Sequence, residues 1–141
     1  MRVLGLDVGD RRIGVAMSDA LGITAQRLTC LERQGLSKDV EAVRALVEHH
    51  GVSTIVVGLP LTMRGKAGVQ AGKVTGFVGA LRRRVSVPIE VVDERLTTVE
   101  GERALRATGA SPRARKRAID QVAAQLILQQ FLERRRHREE P

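Results

Sequence analysis

The run "STIVVGL" (53–59) limits the architecture of this chain more than any other stretch. It is almost continuously apolar, the pattern of a strand covered on both faces rather than one. Such a strand sits inside a sheet, and the rest of the chain must supply a layer on each side.

The flanking segments provide those layers. Residues 2–8, "RVLGLDV", and 12–18, "RIGVAMS", read as strands joined by a tight Gly9-Asp10 turn. Residues 23–31 read as a third strand. Ser37 can cap a helix over 38–50, with Val40, Val43, Leu46 and Val47 on one face and Gly51 closing it. After the buried strand, "LTMRGKAG" (61–68) reads as a loop, and Val69, Val74, Phe77, Val78 and Leu81 mark a helix over 69–84. Pro88 opens a strand over 88–93, and Thr97 or Thr98 caps a short helix to about 107, ended by Gly109. Ser111-Pro112 opens a last helix to about 136, and residues 137–141, "HREEP", read as a frayed tail. The order is β-β-β-α-β-α-β-α-α, an α/β fold with a mixed sheet and packed helices. Residues 1–136 form one domain, since 141 residues suit one core rather than two.

No apolar run approaches a membrane span, and "MRVLGLDVG" turns polar too early for a signal peptide. Cys30 is the only cysteine, so an internal disulfide and a cysteine-based metal cluster are excluded. These features suggest a cytoplasmic protein. The formal net charge is +8, and its source is localised. Residues 1–63 hold 7 Lys+Arg and 7 Asp+Glu, whereas residues 64–141 hold 17 and 9. Such a surplus favours a polyanionic partner through phosphate contacts and counterion release. Phe77 and Phe131 are the only aromatics, and both lie in apolar helical patterns. A nucleic acid would therefore be held by backbone and shape, not by base stacking.

Three carboxylates stand out. Asp7 shares a strand face with Val3 and Gly5, and Gly5 and Gly9 read as open space beside it, although an Asp before a Gly turn also serves turn chemistry. Asp93 and Glu94 end the apolar strand "PIEVV", at the carboxyl edge where open α/β sheets bind ligands; an ion pair with Arg95 plus helix capping would explain one acid more easily than two. Asp120 lies in line with Ala124, Ile127 and Phe131 on an apolar helical stripe. An i,i+4 pair with Lys116 would be worth only a few tenths of a kcal/mol, roughly, against the cost of burying a charge. Carboxylates held together repel, and a divalent cation relieves the repulsion. Oxygen donors suit Mg²⁺ or Mn²⁺, and two such ions can activate water and steady the leaving oxygen in phosphodiester cleavage.

The blocks "GLDVGDRRIGVAMSD" (5–19), "VVGLP" (56–60), "VVDERLTTVE" (91–100) and "RKRAIDQVAAQLILQQFL" (115–132) resemble the four signature blocks of the YqgF family. Its members also carry the names RuvX, Holliday junction resolvase and pre-16S rRNA nuclease. The resemblance spans nearly the whole chain. It implies a ribonuclease-H-like fold with a five-stranded mixed sheet, and an acidic triad falling on Asp7, Glu94 and Asp120. It is the resemblance that selects Glu94 over Asp93. One block departs: where the family loop reads something like "LNMDGTEG", this chain has "LTMRGKAG", with Thr62, Arg64 and Ala67 in place of Asn, Asp and Glu. Lys66 adds a second positive charge to that loop. The exchange either strengthens phosphate attraction or reflects a solvated loop that has drifted.

The leading expectation is a metal-dependent endonuclease on structured nucleic acid, with Asp7, Glu94 and Asp120 holding Mg²⁺ or Mn²⁺, two ions with substrate bound. Arg11, Arg12, Arg64, Lys66, Arg95, Lys116 and Arg117 would grip phosphates, and Thr97 would assist. His49 and His50 end a helix on the wrong side, and His137 lies in the tail, so no histidine base is expected. The expected substrate is the precursor of 16S ribosomal RNA, with ribosomal pre-particles as partners, or else a four-way DNA junction, which would favour a two-fold dimer over a monomer. Two rivals remain. One is a nucleotide binder, because the "GLDVGDRRIG" hairpin resembles the phosphate-1 loop of actin-type folds, though those use two domains. The other is a non-catalytic RNA- or ribosome-binding factor, which needs the arginines but not the acids.

Overall fold

A computed structural model describes residues 1–60, 68–93, 107–109 and 111–139, without the side chains of 115–121 and 138–139. The strands are β1 (Arg2–Val8), β2 (Arg12–Ser18), β3 (Ala25–Glu32), β4 (Val52–Leu59) and β5 (Ile89–Asp93). The helices are α1 (Leu36–His50), α2 (Val69–Arg82) and α3 (Pro112–Glu139). The five strands form one sheet in the order β3-β2-β1-β4-β5. β1 pairs antiparallel with β2 and parallel with β4, and β4 pairs parallel with β5. The mixed sheet and the order of the described elements agree with the sequence expectation. The short helix expected up to residue 107 lies outside the described residues, apart from a turn over 107–109 in which Gly109 has φ 75°.

β4 is covered on both faces, as its composition requires. Ile55 and Val57 enter a core with Leu4, Leu6, Ile13, Val40, Val43, Val74, Phe77 and Leu81, which belong to the sheet and to α1 and α2. Val56 points the other way, into a second core with Val3, Ala16, Ala25, Ala124, Ile127, Leu128 and Leu132 under α3. The result is a three-layer sandwich, with α1 and α2 on one face and α3 on the other.

Two local expectations are corrected. Ser37 does not cap α1. The helix begins two residues earlier, Gly35 is the cap with φ 115°, and no side chain bonds at that cap. Asp39, in the first turn, instead accepts the Gln34 N–H at 2.9 Å, so the helix start is fixed from inside the helix. The sharp entry into α1 requires a positive φ at Gly35, which glycine adopts without a Cβ penalty. Gly5, read as space beside Asp7, is in fact covered: a Cβ there would stand 2.8 Å from the Leu128 Cβ and 3.1 Å from the Ala124 carbonyl oxygen. Glycine at this position lets α3 lie directly on β1.

Other ends follow their sequence signals. Gly51 closes α1 with φ 63°, and the Ser111 Oγ accepts the Ala114 N–H at 3.2 Å, with Pro112 as the first residue of α3. One end does not: α3 continues to Glu139, past the end expected near 136, so residues 137–139 are helical rather than part of a frayed tail. Among the described residues no helix is long and apolar enough to cross a membrane.

Candidate active site

The parallel trio β1, β4 and β5 puts three carboxyl ends at one edge of the sheet. The register runs Leu6–Val57–Val91 across it, so Asp7 is level with Gly58 and Val92 one residue later. Asp7 is half-buried. It lies on the α3 face, following Val3 and Gly5 by strand alternation. Gly58 brings no side chain between Asp7 and Val92. β1 and β5 are two strand spacings apart, about 10 Å. Val92 packs with the α3-side core and Ile89 with the opposite one, so alternation puts Asp93 on the face away from α3.

α3 runs antiparallel to β1. Leu128 and Ala124 cover Gly5, while Arg135 reaches Met1, its Nη2 lying 3.0 Å from the Met1 Sδ. Gln125 and Gln129 fix the helix sideways by bonding the Ala25 carbonyl and N–H at the start of β3 (3.1 and 3.0 Å). The first turns of α3, with positions 116, 117 and 120, therefore extend towards the edge that holds Asp7. The side chains of Lys116, Arg117 and Asp120 lie outside the described residues, as do Arg64, Lys66, Glu94, Arg95 and Thr97 altogether. Among the described residues no three His, Cys, Asp or Glu side chains are grouped as a metal site.

Arg11 and Arg12 lie at the same edge, in the β1–β2 connection and at the start of β2, and both are exposed. Arg12 faces Glu32 across the β2–β3 ladder at 3.4 Å, an exposed pair that contributes little and can release Arg12 to a phosphate. His49 and His50 end α1 at the opposite edge, where it leads into β4, in line with the expectation.

Sequence reading missed a polar group behind the hairpin. Asp10, Arg33, Gly35, Asp39 and Lys73 line an open pocket of about 320 Å³. The Arg33 Nη1 donates to the Gly9 carbonyl at 2.7 Å and its Nε to the Asp39 Oδ2 at 2.7 Å. Lys73 pairs with Asp10 at 3.2 Å, and hydrogen bonding to this ammonium holds the Asp10 carboxyl below the usual carboxylate range. Burial pushes the Asp39 carboxyl up, but the Gln34 N–H and the Arg33 guanidinium outweigh burial and leave it lowered. The available sequence signal was an acid in the first turn of an otherwise apolar-faced helix.

Comparison with known proteins follows this geometry. The family described as "RuvX: Holliday junction resolvase" matches residues 1–134. A relative from Moorella thermoacetica, named "Putative pre-16S rRNA nuclease", is 49% identical over 134 residues, covering 95% of this chain and 96% of that one. A protein of the same name from Clostridium acetobutylicum is 46% identical over 132 residues, covering 94% and 98%. Among solved structures, Thermus thermophilus RuvC in complex with Holliday junction substrate matches with a TM-score of 0.58 at 17% identity, covering 96% of this chain and 95% of that one. The fowlpox virus Holliday junction resolvase matches at 0.54 and 10% identity, covering 94% and 99%. At such identities the likeness concerns the fold, which is ribonuclease-H-like, as the signature blocks led one to expect. The family match over residues 1–134 and the two relatives carry the assignment further: this chain belongs to the RuvX family.

Proposed function

We propose that residues 1–136 form a single divalent-metal-dependent endonuclease domain that cuts structured nucleic acid, with the precursor of 16S ribosomal RNA as substrate. The observation that carries the reading is the contact of α3 with Gly5. Four helix residues rise about 6 Å and two strand residues about 6.6 Å. Stepping from Ala124 to position 120 along α3 thus keeps pace with stepping from Gly5 to Asp7 along β1. Alternation in β5 supports Glu94 rather than Asp93 as the second acid, because Val92 takes the α3 face and Asp93 the other. Asp7, Glu94 and Asp120 then form the acidic set, and its oxygen-only donors fit Mg²⁺ or Mn²⁺. Bound there, the ions would activate water and offset negative charge on the phosphodiester.

This chain's own residues would bind and orient the strand. Arg11 and Arg12 approach phosphates from the hairpin, Lys116 and Arg117 from α3, and Arg64, Lys66 and Arg95 from the connecting segments, with Thr97 assisting. The names of the relatives favour pre-16S ribosomal RNA, and on this reading the protein acts within a pre-particle in the cytoplasm. The family description favours a second substrate, the four-way DNA junction; two symmetric cuts there would call for a homodimer rather than a monomer.

The test is cleavage of a 16S rRNA precursor fragment and of a four-way DNA junction, with and without Mn²⁺, by the wild type and by Asp7→Asn. Mn²⁺-dependent cutting of the RNA that Asp7→Asn abolishes without loss of binding supports the proposal. Cutting of the junction alone selects the second substrate. RNA binding by both proteins with no cutting by either leaves a non-catalytic RNA-binding factor.

A further inference from the structure

The β1–β2 hairpin must hold Asp7 still, yet its turn lies beyond the regular sheet ladder. A backbone bond closes it from within, the Gly9 N–H to the Arg12 carbonyl at 2.9 Å. Two of its carbonyls are taken by a single residue outside it. Arg33 gives its side-chain Nη1 to the Gly9 oxygen at 2.7 Å and its backbone N–H to the Arg11 oxygen at 2.9 Å. The guanidinium is itself fixed on two sides. Its Nε bonds the Asp39 Oδ2 at 2.7 Å, and its Cζ lies 5.6 Å from the centroid of the Phe77 ring on α2. Asp39 is 3% exposed, and its second oxygen accepts the Gln34 N–H. An arginine fork suits this task because it presents several donors in one rigid plane.

We infer that Arg33 is a positioning residue for the catalytic edge: its guanidinium ties the hairpin that carries Asp7 to Asp39 at the start of α1 and to Phe77 on α2. The inference rests on the reading of Asp7 as an active-site carboxylate. Gly9 is two residues from Asp7, so a loosened Gly9 carbonyl is felt directly at the acid. Lys73, pairing with Asp10 from the solvent side, adds an exposed and weaker tie.

Arg33→Ala alone is a poor test, because it would leave Asp39 buried without its cationic partner, a loss that by itself strongly destabilises a fold. The discriminating variant is Arg33→Met with Asp39→Leu. Apolar replacement of a buried ion pair commonly preserves stability, while here it removes the bond to Gly9. With the melting temperature near that of the wild type, we expect kcat on the 16S rRNA precursor fragment with Mn²⁺ to fall about 10- to 100-fold, the usual consequence of misplacing a catalytic group by an ångström or less. KM for the RNA should stay unchanged. Hydrogen exchange at the Gly9 amide should quicken by at least about tenfold, as for a locally opened segment. Wild-type kcat and wild-type Gly9 exchange in the double variant would overturn the inference. If the double variant does not fold, Arg33→Lys decides by the same two readouts, because an ammonium cannot reach Gly9 and Asp39 together. The exchange measurement needs no substrate. If the wild type cuts nothing and the variant hairpin still loosens, the nuclease reading fails while the tie stands.

Discussion

A single methyl group at Gly5 would have nowhere to go. The nearest neighbours are the Cβ of Leu128 and a backbone carbonyl, neither of which can swing aside. Gly5→Ala should therefore push α3 off the sheet and cost about 1–3 kcal/mol, the range for overpacking a tight core, read from the urea midpoint. Cleavage should fall with it, since the same helix carries position 120. Asp39 offers a second test at this scale, through acid. Its carboxyl is lowered in the folded protein, so its stabilisation is fully present above the unfolded value near 3.8 and is lost as pH falls through the lower folded value. Asp39→Asn should be less stable than the wild type at neutral pH, and its stability should change less with pH below about 4. Urea denaturation at stepped pH measures both. The sequence pointed to Asp7 but misread its neighbour, because a glycine beside a carboxylate signals missing volume without saying what fills it.

The strands and helices were legible because their apolar patterns are strong; their ends were legible only where a local signal acts alone. Ser111-Pro112 is such a case, and its hydroxyl does take up the Ala114 N–H. Ser111→Ala should cost about 1 kcal/mol, the usual loss of a serine cap. The loss should show as faster amide exchange in the first turns of α3, where Lys116, Arg117 and Asp120 lie, more than in the Leu128 turn that packs on Gly5. At α1 the same rule pointed to Ser37 and failed. A capping hydroxyl competes there with a buried acid that serves the hairpin as well, and that second duty comes from tertiary contacts no local pattern records. β3 is similar: it starts at Ala25 rather than at residue 23 because Asp19 takes the N–H groups of Ile23 and Thr24 (2.7 and 3.4 Å), holding them in the preceding turn. Of the acidic set, spacing along one strand placed Asp7 at an edge. Bringing it level with α3 required the β1–α3 contact, whose partners are more than a hundred residues apart.

On the scale of the whole molecule, clusters of basic residues among the described residues stand at opposite edges of the sheet. Arg11 and Arg12 lie at the carboxyl edge with Asp7. Arg82–Arg84 lie at the end of α2 and just beyond it, where the chain leads back to the start of β5, and Arg134–Arg136 lie near the end of α3 beside Met1. A seven-residue strand spans about 20 Å, so these two clusters are a strand's length from the proposed site. Arg84 is further engaged by Glu41 at 2.7 Å, whereas Arg83 and Arg134 are exposed. An RNA strand drawn across the carboxyl edge would meet the first group and not the others. Each phosphate contact contributes about 0.7 to the slope of log affinity against log salt for a single strand. Arg11→Ala with Arg12→Ala should therefore flatten that slope by about 1.4 and raise KM. Arg83→Ala with Arg134→Ala removes the same formal charge and should leave the slope and KM near the wild type. Salt-titrated binding of the 16S rRNA precursor fragment to the Asp7→Asn protein, with each pair added in turn, separates local phosphate contact from net charge. Equal flattening by both pairs would mean that the basic surface acts as a diffuse field with no preferred edge.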